Sequence, residues 1–307
     1  MISFLERKEK RKHTVRVFHI PTMKLITVEQ MEAATERLLE NGRQVGADSW
    51  QQRVKNQTPH CKFGEEGICC RICSMGPCRI TPKAPRGICG CDVHGIVARN
   101  YLRFTAGGAA THSDHGRSIC HTLYQAKEGG NYTVKDPEKL KRIAGEWGIE
   151  TEGKDIYDLA HEVAETALME YGKPFGNCRF LSRAPEHTRQ LWHDAGIEPR
   201  AIDREVSQSL HMTHMGCSSL PEALIRQALR AGLCDGWGGS MCGTEFSDVL
   251  FGTPKPIDTT ANLGVMEKDM VNIVVHGHDP SLSEMIVLYA QDPEMIALAK
   301  EKGAKGI

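Results

Sequence analysis

Residues 61–80 read CKFGEEGICCRICSMGPCRI, and RGICG follows at 86–90 with Cys91 directly after it. Seven of the 12 cysteines fall in this one stretch. Their order is Cys61, seven residues, the doublet Cys69 and Cys70, two residues, Cys73, four, Cys78, ten, Cys89, one, Cys91. Gly64, Gly67, Gly76, Pro77, Pro82, Pro85, Gly87 and Gly90 interrupt residues 59–92, so no long helix or strand can run through them. A loop of this kind suits metal ligands that must converge on one point. One iron–sulfur cubane takes four thiolates, and Cys70, Cys73, Cys78 and Cys89 supply one such set. Neighbouring side chains diverge, so Cys69 is not expected to join Cys70 on one cluster, and Cys61 and Cys69 remain as a separate pair. A pair is half of a four-thiolate site. A two-fold symmetric dimer would bring the other half to its axis; two unligated thiols are the plain alternative. Structural zinc competes for the whole segment. Zinc sites usually use two short Cys pairs with a longer gap, whereas one C-x2-C is followed here by unpaired spacings.

Composition bounds the rest. A chain of 307 residues makes one large domain or two ordinary ones. With 40% hydrophobic and 25% charged residues it is neither disordered nor fibrous. Lys and Arg number 38 against 39 Asp and Glu, and a net charge of −1 gives no global reason to bind nucleic acid. No apolar run approaches the roughly 20 residues of a membrane helix. The start, MISFLERKEKRKH, has no apolar core of a secretory signal. A dense Cys knot in such a chain fits a metal site in a reducing, cytoplasmic setting better than disulfides. Arg7, Lys8, Lys10, Arg11, Lys12 and Arg16 make residues 1–20 basic: a solvated arm, with an anionic partner as the alternative.

Helical signals dominate most of the chain. Residues 27–42 carry an approximate apolar stripe (Val28, Met31, Leu38, Leu39), Thr27 and Gln30 as a capping box, and Gly42 as a stop. YDLAHEVAETALMEYG at 157–172 and LPEALIRQALRAG at 220–232 have helical spacing and close on Gly. The pattern changes near 254. VNIVV at 271–275 reads as a buried strand, followed by helical stretches near 281–291 and at 293–302 and a second strand onset at 304–307. Strand, helix, strand is the start of a parallel α/β unit. The fold expected is α plus α/β: a mainly helical domain over 1–253 that carries the Cys loop, then an incomplete Rossmann-like domain over 254–307.

The Cys stretch with RGICG resembles the N-terminal cluster region of the anaerobic nickel–iron carbon monoxide dehydrogenases. AATHSDHGR at 109–117, HMTHMG at 211–216, DGWGGSM at 235–241, FGTPKP at 251–256 and NIVVHGHDPSLSEM at 272–285 agree. The resemblance runs from about residue 40 to the end. It implies a [4Fe–4S] B-cluster on Cys70, Cys73, Cys78 and Cys89, and a [4Fe–4S] D-cluster shared between two chains by Cys61 and Cys69. It implies no role for Cys91. The family's catalytic C-cluster, a nickel–iron–sulfur centre, takes an imidazole from the VHGH motif, assigned to His278 rather than His276. The C-cluster cysteines have no match: Cys120, Cys178, Cys217, Cys234 and Cys242 read as buried free thiols. The chain therefore reads as roughly the first half of the enzyme, inactive toward CO when alone.

His112, His115 and His121 stand three and six residues apart, with Ser118 in the missing step. Groups that titrate near neutrality can pass protons from a buried site, and the resemblance implies that role for a histidine run at this spacing; ordinary surface histidines are the alternative. Arg71, Arg79, Lys83 and Arg86 surround the Cys loop and would offset thiolate charge and steer an acidic ferredoxin, or simply form a solvated face. Asp235 and His214 lie in family-like motifs and could stand near the C-cluster. The activity implied is reversible oxidation of CO with water to CO2, two protons and two electrons. The partners implied are a second copy of the chain, ferredoxin or a similar acceptor, and in some members acetyl-CoA synthase. A hybrid-cluster protein of hydroxylamine-reductase type and a stand-alone iron–sulfur electron-transfer protein are the rivals.

Overall fold

The computed structural model describes residues 28–255, 267–275 and 280–307. The chain divides into two units, Met1–His60 and Cys61–Ile307. In the first unit α1 (Val28–Gln44) and α2 (Trp50–Asn56) are helices, and Ser49 caps α2 by accepting from the Gln52 amide at 3.3 Å. The expected helix at 27–42 is present and runs two residues further. Its Thr27 cap lies outside the described residues.

The second unit is mostly helical. It opens with α3 (Lys62–Glu65) and a two-stranded antiparallel ribbon, β1 (Cys69–Cys70) against β2 (Cys78–Arg79). Then comes α4 (Val93–Tyr124), 32 residues long and so about 48 Å from end to end. Asp92 starts it by accepting from the Gly95 amide at 2.9 Å. Helices α5 (Pro137–Glu146), α6 (Ile156–Gly172), α7 (Glu186–Asp194), α8 (Ile202–Thr213) and α9 (Pro221–Cys234) follow, with a 3-10 turn at Arg179–Arg183. Helix α9 runs into a π-helical turn, Asp235–Ser240, and directly on into α10 (Met241–Phe251). The expected helices at 157–172 and 220–232 are α6 and α9. Pro221 sits at the first turn of α9, where its missing N–H costs nothing.

Helix α4 packs against α6, α8, α9, α10 and the π-helical turn. The main core lies between its C-terminal half and α5, α6 and α10, where Ile119, Leu123, Leu140, Leu159, Val163 and Phe246 are buried. Ala98 and Leu102 meet Leu224 and Ala228 of α9. A small third core of Ile80, Cys91 and Ile96 lies under the Cys loop.

A very close backbone approach joins α4 to the π-helical turn. A Cβ on Gly116 would stand 2.5 Å from the Gly239 carbonyl oxygen and 2.7 Å from Tyr171 Oη. A Cβ on Gly239 would stand 2.8 Å from the backbone carbon of His112. Only backbones without side chains can cross this closely. Polar ties fix the same helix to α8. Arg117 reaches Asp203 at 2.8 and 3.0 Å, Ser113 reaches the same carboxylate at 3.1 Å, and Arg103 donates to Thr213 Oγ1 at 2.7 Å.

The Rossmann-like expectation needs correction on one point. Residues 271–275 form no paired strand, and Ile273 and Val274 are 47% and 75% exposed. Two backbone bonds join this region to residues near 305: Val271 N–H to Gly306 O at 2.9 Å, and Lys305 N–H to Asp269 O at 2.7 Å. A strand buried on both faces needs flanking strands and covering helices, and among the described residues no third segment pairs with this run. The helical stretches after it do form, as α11 (Pro280–Gln291) and α12 (Pro293–Glu301).

Two stability outcomes follow from this packing. Gly239→Ala and Gly116→Ala should each lower stability by about 2 kcal/mol or more, seen as lower urea midpoints. Gly108→Ala, where no atom lies within 4 Å of the added Cβ, should instead gain up to about 1 kcal/mol from helix propensity. The second outcome concerns Glu205, which is fully buried. It accepts from Arg200 Nε at 2.7 Å and Nη2 at 2.8 Å and from Gln227 at 3.1 Å. Burial pushes its carboxyl up, but the Arg200 and Gln227 hydrogen bonds outweigh this and hold it below the ordinary value. Its folded value is thus depressed, so its stabilisation is full above roughly pH 4.3 and is lost as pH falls below that. Glu205→Gln should cost roughly 2 kcal/mol at pH 7, and the gap to the parent in urea midpoint should narrow in acid.

Candidate metal centre

The Cys loop is built on the β1–β2 ribbon and the first turns of α4. Pairing sets Cys70 opposite Cys78 and Cys69 opposite Arg79. Successive side chains of a strand point to opposite faces, so Cys69 and Cys70 diverge. Asn100 on α4 clamps the ribbon: its Nδ2 donates to the Gly67 carbonyl at 2.9 Å and to the Cys69 carbonyl at 2.8 Å. Gly76 lies inside the turn, where an added Cβ would meet the Cys70 carbonyl oxygen at 3.0 Å.

Cys70, Cys73, Cys78 and Cys89 line one pocket, together with Gly76, Gly87, Ile96, Arg99 and Met215. The structure therefore brings together the four thiols that the spacing grouped as a set. Among the described residues no three His, Cys, Asp or Glu side chains gather tightly enough for a single metal ion. Four thiols in one Gly-rich wrap, with hydrogen-bond donors at two of the sulfurs, make the donor set that one cubane takes. The residues present thus fit an iron–sulfur group.

Hydrogen-bond donors already face these sulfurs. The Ile88 amide points at Cys78 Sγ at 3.5 Å, and Arg99 Nη1 at Cys89 Sγ at 3.4 Å. Partial burial pushes the Cys89 thiol up, but the Cys91 backbone N–H and the Arg99 guanidinium hold it below its ordinary value. The shift is toward the thiolate, the form that ligates metal. Cys91 is 1% exposed and burial raises its thiol; its sulfur packs beside Gly95, as a core residue.

Cys61 is exposed at the start of α3, and Cys69 is half-buried on β1. The other thiols divide. Cys120, Cys178, Cys234 and Cys242 are buried, but Cys217 is exposed. The expectation of five buried thiols fails at Cys217 because residues 214–219 loop over the surface between α8 and α9. His214 ends α8 one residue before pocket-lining Met215.

The histidines lie on the second half of α4. His112 Nδ1 meets Asp235 Oδ1 at 2.6 Å, because the Gly116–Gly239 crossing seats the π-helical turn on this part of the helix. His115 is half-buried against Gly243 of α10. His121 is exposed in the last turn. His276 and His278 lie outside the described residues.

A family model described as Prismane/CO dehydrogenase family matches residues 68–307. The chain belongs to this family. Carbon monoxide dehydrogenase 1 of Methanosarcina mazei is 49% identical over 282 residues, which are 90% of this chain and 45% of that protein. A nickel-free carbon monoxide dehydrogenase from Thermococcus sp. AM4 superposes with a TM-score of 0.77 at 47% identity, over 88% of this chain and 44% of that one. An acetyl-CoA synthase/carbon monoxide dehydrogenase structure gives 0.77 at 38% identity, over 96% and 46%. The chain thus spans less than half the length of these members of the Prismane/CO dehydrogenase family.

The pocket residues Met215 and Arg99 and the clamp Asn100 escaped the sequence reading. Met215 lies in the HMTHMG stretch, but nothing local ties that distant loop to the Cys pocket. Asn100 gave no signal. Arg99 did leave one: it falls between Ile96 and Leu102 on the buried stripe of α4, where a cation is out of place without a reason.

Asn100→Ala should leave the Gly67 and Cys69 carbonyls without their donor, at a local cost of about 1–2 kcal/mol. The expected readout is a roughly tenfold faster protease cleavage within residues 61–92 with little change in global urea midpoint. Equal cleavage rates would show that the ribbon holds without the clamp.

Proposed function

We propose that this chain is the N-terminal, electron-transferring part of an anaerobic nickel–iron carbon monoxide dehydrogenase. The observation that carries the reading is the single pocket lined by Cys70, Cys73, Cys78 and Cys89, in a chain 49% identical to a carbon monoxide dehydrogenase. In this reading the four thiols hold a [4Fe–4S] B-cluster. Cys61 and Cys69 hold half of a D-cluster completed by a second copy in a homodimer. A cubane supplies one-electron storage and transfer. The chain's own residues hold its sulfurs, cover them with Ile72, Ile88 and Ile96, and leave Arg71, Arg79, Lys83 and Arg86 exposed around the loop. That basic rim suits an acidic ferredoxin, and an association with acetyl-CoA synthase is a second possible context.

The whole reaction would be reversible oxidation of CO with water to CO2, two protons and two electrons. The nickel–iron–sulfur C-cluster supplies CO binding and water activation when it is bound. The described residues contain no donor set for it, and its proposed imidazole, His278, lies outside them. His112, His115 and His121 would carry protons outward, with Asp235 holding the His112 ring. Residues 254–307 would open a Rossmann-like domain after a helical domain over 1–253. No helix among the described residues is long and apolar enough to cross a membrane, and a cytoplasmic location is part of the proposal. Relatives named carbon monoxide dehydrogenase favour this reading over a hybrid-cluster protein.

Metal analysis of the anaerobically purified chain tests it. One cubane plus half of a shared one gives roughly six Fe per chain, with no nickel and no CO oxidation. Cys78→Ser should remove about four of these irons and Cys61→Ser about two. Stoichiometric zinc would overturn the cluster reading, and nickel with CO oxidation would overturn the assignment of these residues to electron transfer alone.

A further inference from the structure

Arg99 is 3% exposed, yet among the described residues no carboxylate pairs with it. Its Nε and Nη2 both donate to the Ser218 carbonyl, Nε at 2.7 Å. Its Nη1 is turned to Cys89 Sγ at 3.4 Å, and the side chain lines the Cys pocket. A guanidinium keeps its charge in any protein setting, and taking that charge out of water costs several kcal/mol unless an opposite charge compensates. One backbone carbonyl accepts two of its bonds but brings no net charge. Among the described residues its one other polar partner is a thiol of the pocket.

A buried cation of this kind calls for a negative group beside it. Four thiolates around a cubane are such a group, since their charge exceeds that of the iron–sulfide core. Resting on the cluster reading above, we propose that Arg99 is the fixed counter-charge of the B-cluster and sets its reduction potential. Reduction adds one negative charge to the cluster. A cation held within hydrogen-bond reach of a ligating sulfur stabilises the reduced state more than the oxidised one, so it raises the potential. The attachment to Ser218 is what keeps the cation in place: two donors on one carbonyl lock the guanidinium plane and leave the third nitrogen aimed at the sulfur. Arg99 is therefore a positioning and tuning residue, not a ligand.

The test is a redox titration of the full chain followed by electron paramagnetic resonance, reading the signal that Cys78→Ser abolishes. In Arg99→Gln the ratio of reduced to oxidised cluster at the parent's midpoint should fall at least tenfold, which for one electron is a midpoint 59 mV lower. Arg99→Lys keeps the charge and loses the fork to Ser218; its ratio should stay within twofold, while protease cleavage at 214–219 rises in both variants. A merely structural Arg99 would raise cleavage in both and leave both midpoints at the parent's value, and that result overturns the proposal. If Arg99→Gln does not retain iron, iron retention in Arg99→Lys decides: a chain that keeps its iron shows that the charge holds the cluster, and a chain that loses it, or whose midpoint falls tenfold, shows that the fork to Ser218 does and overturns the proposal. A parent chain that binds no iron sinks the cluster reading itself, and this inference with it.

Discussion

The crossing of two glycines, Gly116 on α4 and Gly239 in the π-helical turn, is the constraint on which the arrangement of the site depends. Helix α4 is one rigid body that begins beside Cys91 and ends after His121. Whatever fixes its middle fixes both ends. The crossing leaves no room for a Cβ on either side, so the turn can seat in only one way. That seating delivers Asp235 to His112 at one point and joins α9 to α10 without a break. A π-helical turn is a costly piece of backbone that recurs at functional sites, and here the close approach explains its presence. An extra residue in the ladder lets α9 and α10 pass the helix at the one place where glycine faces glycine.

The opposite end of α4 is governed by electrostatics rather than by sterics. Consecutive residues Arg99 and Asn100 do different work on the same loop. Asn100 satisfies two carbonyls of the ribbon and so fixes where Cys70 stands relative to the helix. Arg99 binds the 214–219 loop and faces a thiol. The Cys segment has almost no regular structure of its own, and its small core of Ile80, Cys91 and Ile96 cannot order thirty residues by burial alone. Side chains from a long, well-packed helix supply the missing order.

Much of this was legible in the sequence, for physical reasons that differ by region. Helices α6 and α9 carry strong apolar periodicity and clear stops, so their limits could be read to within a residue or two. The grouping of Cys70, Cys73, Cys78 and Cys89 was legible because Gly and Pro forced a loop and adjacent thiols diverge. The Asp235 pairing was not, since His112 and Asp235 are 123 residues apart and only the glycine crossing joins them. Residues 271–275 form no strand despite their composition. A run of Val and Ile declares that a segment is fit for burial, but burial depends on neighbours that periodicity does not supply.

The histidine row shows how much a spacing in sequence leaves out of the geometry on the helix. Steps of three residues on a helix advance by about 300°, so each step falls about 60° short of a full turn. His112 and His115 are neighbours, but His121 lies about 180° round the axis from His112. The three do not form a straight line on one face. A proton moving along them would have to wind about the helix, and the step across Ser118 is both the longest and the one that turns the corner. Asp235 matters more in this geometry than the spacing suggests. In the proposed relay, Asp235 would hold the His112 ring through Nδ1 and leave Nε2 facing the rest of the path. The row is thus coupled to the glycine crossing: loosening Gly239 against α4 would unseat Asp235 and free that ring, although neither residue would change.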